Sequence, residues 1–542
     1  MNDAVKCDRA ACTATIPSTR THLRIVVIDL VAEGDRPSLF GRVMNANQAS
    51  VMPQVIAVWC EELGHNVRYE VFTGTEDLLG AIVPGVDVVF VSAFTYAALT
   101  AYSLSARARK VGAVTVLGGP HARCYPEDAS QYFDYVLGLT DKPLIQQVLS
   151  DRAQARAGGL MLSAVRQPTV LPTLQQRWKF VEATLRKAIG LKIVPMIGSM
   201  GCPYTCSFCI DANIEYQPLP FEQVENDLKF AASRMPNPVI GWHDPNFGIR
   251  FDDYMSTIER ASAARPMRHV AETSLSLLSA PRLARMRAAN FVGILPGIES
   301  WYEFGNKSKS KAVRGSDRLV QIADHVNLIL RHIPFVQTNF VLGLDTDAGE
   351  EPFALSRKFI DLVPGAYPAY SLFTAYGRAA PQNLLLQRTG RVLPFPFPFL
   401  ESTRAMNVRP LHYSWPEFYR QSLALIAYAW SGLRVWRRLR ANRGLTTRAL
   451  NFIRATTTHR MDYHGHVLKL LETDRQFRGY LEGDHQVLPD FYVSQIPKRL
   501  GRLQEWLPPG AIHHDSLAYQ KSEANRHPEC SAPSAGVVLT QM

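Results

Sequence analysis

Two long series of short apolar runs, each followed by an amphipathic segment, constrain this 542-residue chain more than any other feature. In the first series the apolar runs are 24–30, 67–72, 87–93, 113–117 and 134–137, with helical patterns at 50–63 and 97–111. Strands that are apolar along their whole length are buried on both faces, and strands separated by helices pair in parallel. A parallel sheet covered on both faces is expected over residues 24–151. The second series has apolar runs at 192–197, 239–243, 269–274, 291–298, 335–342 and 370–374. Its helical patterns lie at 221–233, 252–264, 280–289, 319–331 and 351–362. About six β/α units suit an open or partial TIM-like parallel barrel, (β/α)6, over residues 188–380. Residues 152–187, with a Gly-Gly pair and two prolines, read as the linker. The fold class is α/β.

A chain of this length exceeds one ordinary domain of about 150 residues. Its 46% hydrophobic and 20% charged residues are those of a globular protein with ample core. Net charge is 59 − 48 = +11, which permits anionic partners without naming one. The first residues lack an apolar signal region, and the longest apolar run, 423–430, is far below the roughly 18 to 20 residues that span a bilayer. Eight cysteines without a framework spacing point to a reducing compartment. A cytoplasmic protein is the expectation. Residues 1–23 and 522–542 read as disordered tails, and Cys7, Cys12 and Cys530 fall in them.

The chemistry concentrates at Gly201-Cys-Pro-Tyr-Thr-Cys-Ser-Phe-Cys209. Cys202, Cys206 and Cys209 form a C-x3-C-x2-C triplet at the carboxyl end of the first strand of the second series. Three thiolates so close in sequence can converge on one iron–sulfur cluster. Three ligands for a four-iron cubane leave one iron without a protein ligand, and an open coordination position is where substrate chemistry happens. The competing readings are a chance cluster or a partial zinc site, but the spacing differs from paired C-x2-C zinc patterns and from the four-cysteine ferredoxin run.

In parallel sheets ligands bind beyond the carboxyl ends of the strands, near the point where strand order reverses. In the first series those ends carry Ser92 and Thr95, then Gly118, Gly119 and His121. Paired glycines let backbone approach a bulky ligand, although Gly118-Gly119 also fits a plain tight turn. In sequence and position this half resembles the cobalamin-binding domain that precedes the catalytic domain in one group of radical enzymes. The resemblance implies a flavodoxin-like (Rossmann-like) sheet, with the corrin over the strand ends and its nucleotide tail inserted into the domain. Ser92, Thr95, Gly118 and Gly119 would contact it. The Asp-x-His-x-x-Gly element of the methionine-synthase type reads here Asp29-Leu-Val-Ala-Glu-Gly34, with Val31 where the cobalt-ligating His would stand. His121 is then a local candidate for contact.

The second series resembles the radical S-adenosylmethionine superfamily, whose signature is C-x3-C-x2-C after the first barrel strand, with an aromatic before the last Cys (here Phe208). The resemblance implies that Cys202, Cys206 and Cys209 hold a [4Fe–4S] cluster and that S-adenosylmethionine chelates the open iron. Gly297-Ile-Glu-Ser300 is similar to the element that contacts the polar end of that cofactor, through Glu299. Val341-Leu-Gly-Leu-Asp345, with Gly343, is similar to the turn near adenine. His243-Asp-Pro-Asn-Phe247 is similar to the D-D-x-F element of cobalamin-linked members, with Asp244 and Asn246 as the candidate contacts and the second carboxylate replaced. Glu299 also fits a helix N-terminal carboxylate, and Asp244 and Asn246 a turn at a strand end. The implied function is a cobalamin-dependent methyltransferase acting on an unactivated carbon of a small or lipid-like substrate. The implied electron donor is a flavodoxin or ferredoxin. Alternatives are cyclisation or rearrangement with the same cofactors and, from another class, a non-catalytic iron–sulfur or cobalamin-binding protein.

Residues 381–521 read as a mostly helical C-terminal domain. The alternation Leu393-Pro-Phe-Pro-Phe-Pro-Phe-Leu400 excludes a central strand or helix and predicts an extended segment packing its aromatics on the barrel. Residues 415–440 predict one long helix with a basic end, Arg434-Val-Trp-Arg-Arg-Leu-Arg440. Cations there complement the helix dipole. Attachment to an anionic membrane surface ranks ahead of nucleic acid, which is not expected as a partner, because aromatics interleave with the arginines. Cys60 and Cys124 read as core cysteines, with Cys124 close enough to His121 to approach a ligand.

Overall fold

A computed structural model describes residues 13–15, 22–32, 34, 37–155, 158–212, 214–302, 313–457 and 460–514. Cys7, Cys12, Cys530 and the whole of 522–542 lie outside the described residues. Within the expected N-terminal tail, Thr13–Thr15 pairs antiparallel with Ala153–Ala155, so these residues are strand rather than coil.

The first domain is a parallel sheet of β1 (Arg24–Leu30), β2 (Asn66–Phe72), β3 (Val88–Ala93), β4 (Val114–Gly118), β5 (Tyr135–Leu137) and β6 (Leu160–Leu162), ordered β2-β1-β3-β4-β5-β6. Strand order reverses between β1 and β3, which defines the ligand-binding end of a flavodoxin-like sheet. Helices α1 (Val51–Glu62) and α2 (Ala98–Lys110) are among those covering it. The sixth strand corrects the linker expectation, because Leu160–Leu162 pairs parallel with β5. Helix α3 (Leu174–Lys187) follows, opened by a capping box between Thr173 and Gln176. The glycines and prolines thus punctuate structure instead of removing it.

The second sheet contains β7 (Ile193–Met196), β8 (Val239–Trp242), β9 (Arg268–Ser274), β10 (Phe291–Glu299), β11 (Phe335–Leu342) and β12 (Tyr367–Leu372). All neighbours are parallel and sequential, and β7 and β12 stay unpaired with each other, so the barrel is open. Buried polar groups fix the two sheets together. Asn47 donates to the Leu191 carbonyl at 2.9 Å and accepts from the Ile193 N–H at 2.9 Å. Arg177 on α3 donates to Gln54 on α1 at 2.8 Å. Most buried apolar side chains of both sheets and of the C-terminal helices form one continuous cluster, with Val31, Ala49 and Val71 in a small separate one.

The C-terminal part corrects two expectations. The region 415–440 is two helices, α4 (Trp415–Ala429) and α5 (Gly432–Ala441), because the Ser431 carbonyl starts the second as the Ala429 helix ends, and Gly432 carries little helix propensity. The break lets Arg438 fold inward, where it donates to the Ala366 carbonyl at 3.1 Å and the Ala429 carbonyl at 3.2 Å. Phe395, Phe397 and Phe399 are buried, but Phe397 packs on the first domain, 4.7 Å from the His121 ring and 4.8 Å from Tyr125. The C-terminal part therefore clamps both sheets. Replacing Arg438 by Lys or Ala removes a forked donor from buried carbonyls and should lower stability by about 1–3 kcal/mol, read as a lower urea midpoint at unchanged m value.

Candidate functional site

At the carboxyl ends of β1, β3, β4 and β5 lies a cavity of about 300 Å³. Val27, Phe90, Ser92, Val116, Gly118 and Gly119 line one wall, and Ile197, Met200 and His243 reach in from the second sheet. This size lies at the lower end for small-ligand pockets and suits a nucleotide-sized group. Gly119 has φ +87°, and a Cβ there would meet Ser92 Oγ and the Ala93 N at 3.0 Å. At Gly118 a Cβ would meet nothing within 4 Å, so that position keeps backbone open to the cavity. A second hollow of about 430 Å³ shares Arg123, Gly138 and Leu139 with the first and extends to Ile210 and Ile214 beside the cysteines.

The cysteine loop is a pinched excursion between β7 and the next helix. A two-residue ribbon closes its neck, Ser199 opposite Pro218 and Met200 opposite Gln217. Gly201 has φ +68°, and a Cβ there would collide with the Glu215 carbonyl. The Cys202 N–H donates to the Ile214 carbonyl at 3.2 Å, and the Cys209 N–H to the Cys206 carbonyl at 3.1 Å. Cys202 and Cys206 are buried, Cys209 is half-buried, and the three are thiols outside any disulfide. Among the described residues no three His, Cys, Asp or Glu side chains converge on a single ion. Phe208 is half-buried against the core beside them.

Arg123, which sequence reasoning did not single out, joins the cavity to this loop. Its Nη2 donates to the Ile210 carbonyl at 2.8 Å and to Asp211 Oδ1 at 2.8 Å, one and two residues past Cys209. No motif marked it.

Several candidates make hydrogen bonds or packing contacts within the protein. Asp244 is buried and accepts from the Gly198 N–H at 3.1 Å, from Ser199 Oγ at 2.7 Å and from Tyr254. Burial pushes its carboxyl above the usual range, against those three donors. Asn246 accepts from the Ser274 N–H at 3.0 Å and donates to Ser274 Oγ at 2.9 Å. Both residues tie strand ends together. Gly343, at φ +85°, clears space for the C-terminal part, since a Cβ would lie 2.9 Å from Phe418 and 3.1 Å from Met406. Thr95 is buried in a turn after β3, outside the cavity lining. His121 is also outside it. Its Nε2 meets the Tyr102 hydroxyl at 2.7 Å, that hydroxyl donates to Asp128 at 2.6 Å, and burial lowers the imidazole to about 3. Cys124 is buried beside it. Glu299 is half-buried at φ +68°, a strained conformation for a non-glycine residue, at a register shift between β10 and β11. A Cβ on Gly297 would collide with its carboxylate.

No family model matches the chain. Bacteriochlorophyllide d C-12(1)-methyltransferase of Chlorobaculum tepidum is 22% identical over 361 residues, covering 65% of this chain and 73% of that protein. The C-8(2)-methyltransferase of the same organism is 29% identical over 178 residues, 30% of this chain and 39% of that one. The radical S-adenosylmethionine methyltransferase TsrM of Kitasatospora setae, solved with tryptophan and an S-adenosylmethionine analogue, has the same fold with a TM-score of 0.51 at 12% identity, covering 68% of this chain and 77% of that one. The cobalamin-dependent S-adenosylmethionine radical enzyme OxsB, solved with aqua-cobalamin, has a TM-score of 0.50 at 12% identity over 95% of this chain and 82% of that one. The chain shares the fold of these cobalamin-dependent radical S-adenosylmethionine enzymes.

The first-strand carboxylate, Asp29, is an internal structural group. Asp29 is buried, accepts from the Ser50 N–H that opens α1 at 2.7 Å, and is bonded by Ser92. Burial outweighs both bonds and raises it from 3.8 to about 7. A carboxyl raised in the folded state contributes stability that is present at low pH and lost as pH rises between those two values. The stability difference between wild type and Asp29→Asn should therefore move against the wild type from pH 4 to pH 7. Urea melts of both proteins across that range check it.

Proposed function

We propose that this protein is a cobalamin-dependent radical S-adenosylmethionine methyltransferase that methylates carbon in a small or lipid-like organic substrate. The observation that carries the proposal is the cavity at the ends of one parallel sheet beside a loop of three cysteine thiols at the end of another, with Arg123 bonded across. The two relatives named as methyltransferases at carbon positions support the reaction class. When bound, the cluster with S-adenosylmethionine supplies one-electron cleavage of a C–S bond, and the corrin supplies the transferable methyl group.

The residues fit these groups. Cys202, Cys206 and Cys209 are the proposed cluster ligands, and three thiolates leave one iron open for S-adenosylmethionine. Gly118 and Gly119 offer backbone to the nucleotide tail, and Ser92 lies beside them in the cavity wall. Ile197 and Met200 keep the boundary between the two halves apolar and so limit water near reactive species. Glu299 is the proposed contact to the polar end of S-adenosylmethionine. Asp244 and Asn246 act as positioning residues, because their hydrogen bonds hold the strand ends around the loop. Reduced flavodoxin or ferredoxin is the proposed electron donor.

A peripheral membrane contact belongs to the same proposal. Leu433, Trp436, Arg437 and Arg440 fall on one stripe of α5 at i, i+3, i+4 and i+7. Leu433 is 49% and Trp436 54% exposed, and Phe452 on the following helix is 51% exposed. Arg438 is turned inward, Arg437 lies 3.5 Å from Asp361, and Arg440 stays in the last turn of α5. Exposed aromatics beside arginines fit an anionic bilayer surface.

Two measurements test these readings. Anaerobic reconstitution with iron, sulfide, cobalamin, S-adenosylmethionine and reductant should yield both 5′-deoxyadenosine and S-adenosylhomocysteine. The first product alone favours rearrangement, and neither product refutes the radical enzyme; Cys206→Ala should lose iron, sulfide and both products together. Separately, the protein should sediment with phosphatidylglycerol vesicles and not with phosphatidylcholine, and Trp436→Ala with Arg440→Glu should release it. Salt-insensitive or headgroup-independent sedimentation would remove the membrane reading.

A further inference from the structure

We propose that His243 is the hydrogen-bonding contact through which the catalytic sheet holds the cobalamin of the cavity between the two sheets. The inference rests on the function proposed above and deepens it to a residue that no motif assigns. The first-domain walls offer mainly apolar groups and backbone: Val27, Phe90, Val116, Gly118 and Gly119. Two polar lining groups are already engaged: Arg123 with Ile210 and Asp211, and Gln167 with the Glu215 carbonyl at 3.0 Å. From the second sheet only Ile197, Met200 and His243 reach the cavity among the described residues.

His243 is held there by its backbone. It follows β8 directly, and its N–H donates to the Met196 carbonyl at 2.8 Å, which extends the β7–β8 ladder by one residue. Alternation along the strand sends Trp242 to the opposite face, where it packs on Phe247, Tyr254 and His269. The next residue must therefore point towards the cavity. The ring is half-buried, and no side-chain hydrogen bond to it is seen among the described residues. Burial and the nearby Arg177 guanidinium lower the imidazole to about 4, so it is neutral at physiological pH. A neutral imidazole carries one N–H donor and one acceptor, and at the cavity wall both are available to a ligand. A corrin is rimmed by primary carboxamides, each of which donates and accepts. His243 is thus a positioning residue for the cofactor, complementary to its rim.

Equilibrium dialysis of hydroxocobalamin against the full-length protein, with its visible spectrum recorded in parallel, tests this. Wild type should bind, His243→Ala should bind on the order of tenfold more weakly, and His243→Gln, which keeps a donor and an acceptor, should recover most of the affinity. The thermal midpoints of the three cofactor-free proteins should agree. Equal affinity of His243→Ala and wild type would overturn the assignment. So would a matching loss of cofactor-free stability without rescue by Gln, which would mark a structural role. If wild type itself binds no cobalamin, the function proposed above fails, and the assignment falls with it.

Discussion

The site depends first on one guanidinium. Arg123 leaves the turn that follows Gly118-Gly119 and bonds the main chain and carboxylate immediately after Cys209. Its side chain is 25% exposed and that of Asp211 26%, so solvent screens the pair only in part. Two hydrogen bonds from one planar group fix orientation as well as distance. A cysteine loop 16 residues long between its ribbon strands would otherwise be free to move relative to the cavity. Arg378 repeats the device nearby, pairing with Glu127 while its own N–H donates to the Cys124 carbonyl.

Around this contact, buried polar groups orient elements and leave the opening to a few residues. Asp244 draws three donors to the corner between β7 and the cysteine loop, and Asn246 binds the ends of β8 and β9. A buried carboxylate or amide of this kind is costly unless satisfied, so such groups hold their positions firmly. Residues that line the cavity do so because their backbone puts them there: Gly118 lacks a side chain, and His243 follows a strand that has already turned its tryptophan into the core.

Legibility followed the range of the interactions involved. Strands such as Arg24–Leu30, Phe335–Leu342 and the helix Glu351–Leu362 were readable to the residue because hydrophobic periodicity is local. The three cysteines were readable because eight contiguous residues carry them. The sixth strand at Leu160–Leu162 and the packing of Phe397 on His121 were not, since each depends on a partner far along the chain. Asp244, Asn246 and Gly343 occupy the motif positions, and the structure adds their packing: hydrogen bonds at strand ends for the first two and close approach of the C-terminal helix for the glycine.

By itself, the sequence determined two parallel α/β sheets, an open barrel and a loop of three thiols, because burial periodicity and contiguous spacing survive without a partner in view. Only the tertiary structure decided which residues share the cavity. Arg123, His243 and the Gly-Gly turn are separated by more than a hundred residues in part, and their meeting depends on how one continuous core docks the two sheets. Long-range packing of that kind leaves no trace in local pattern, which is why the cysteines were legible and the residues facing them were not.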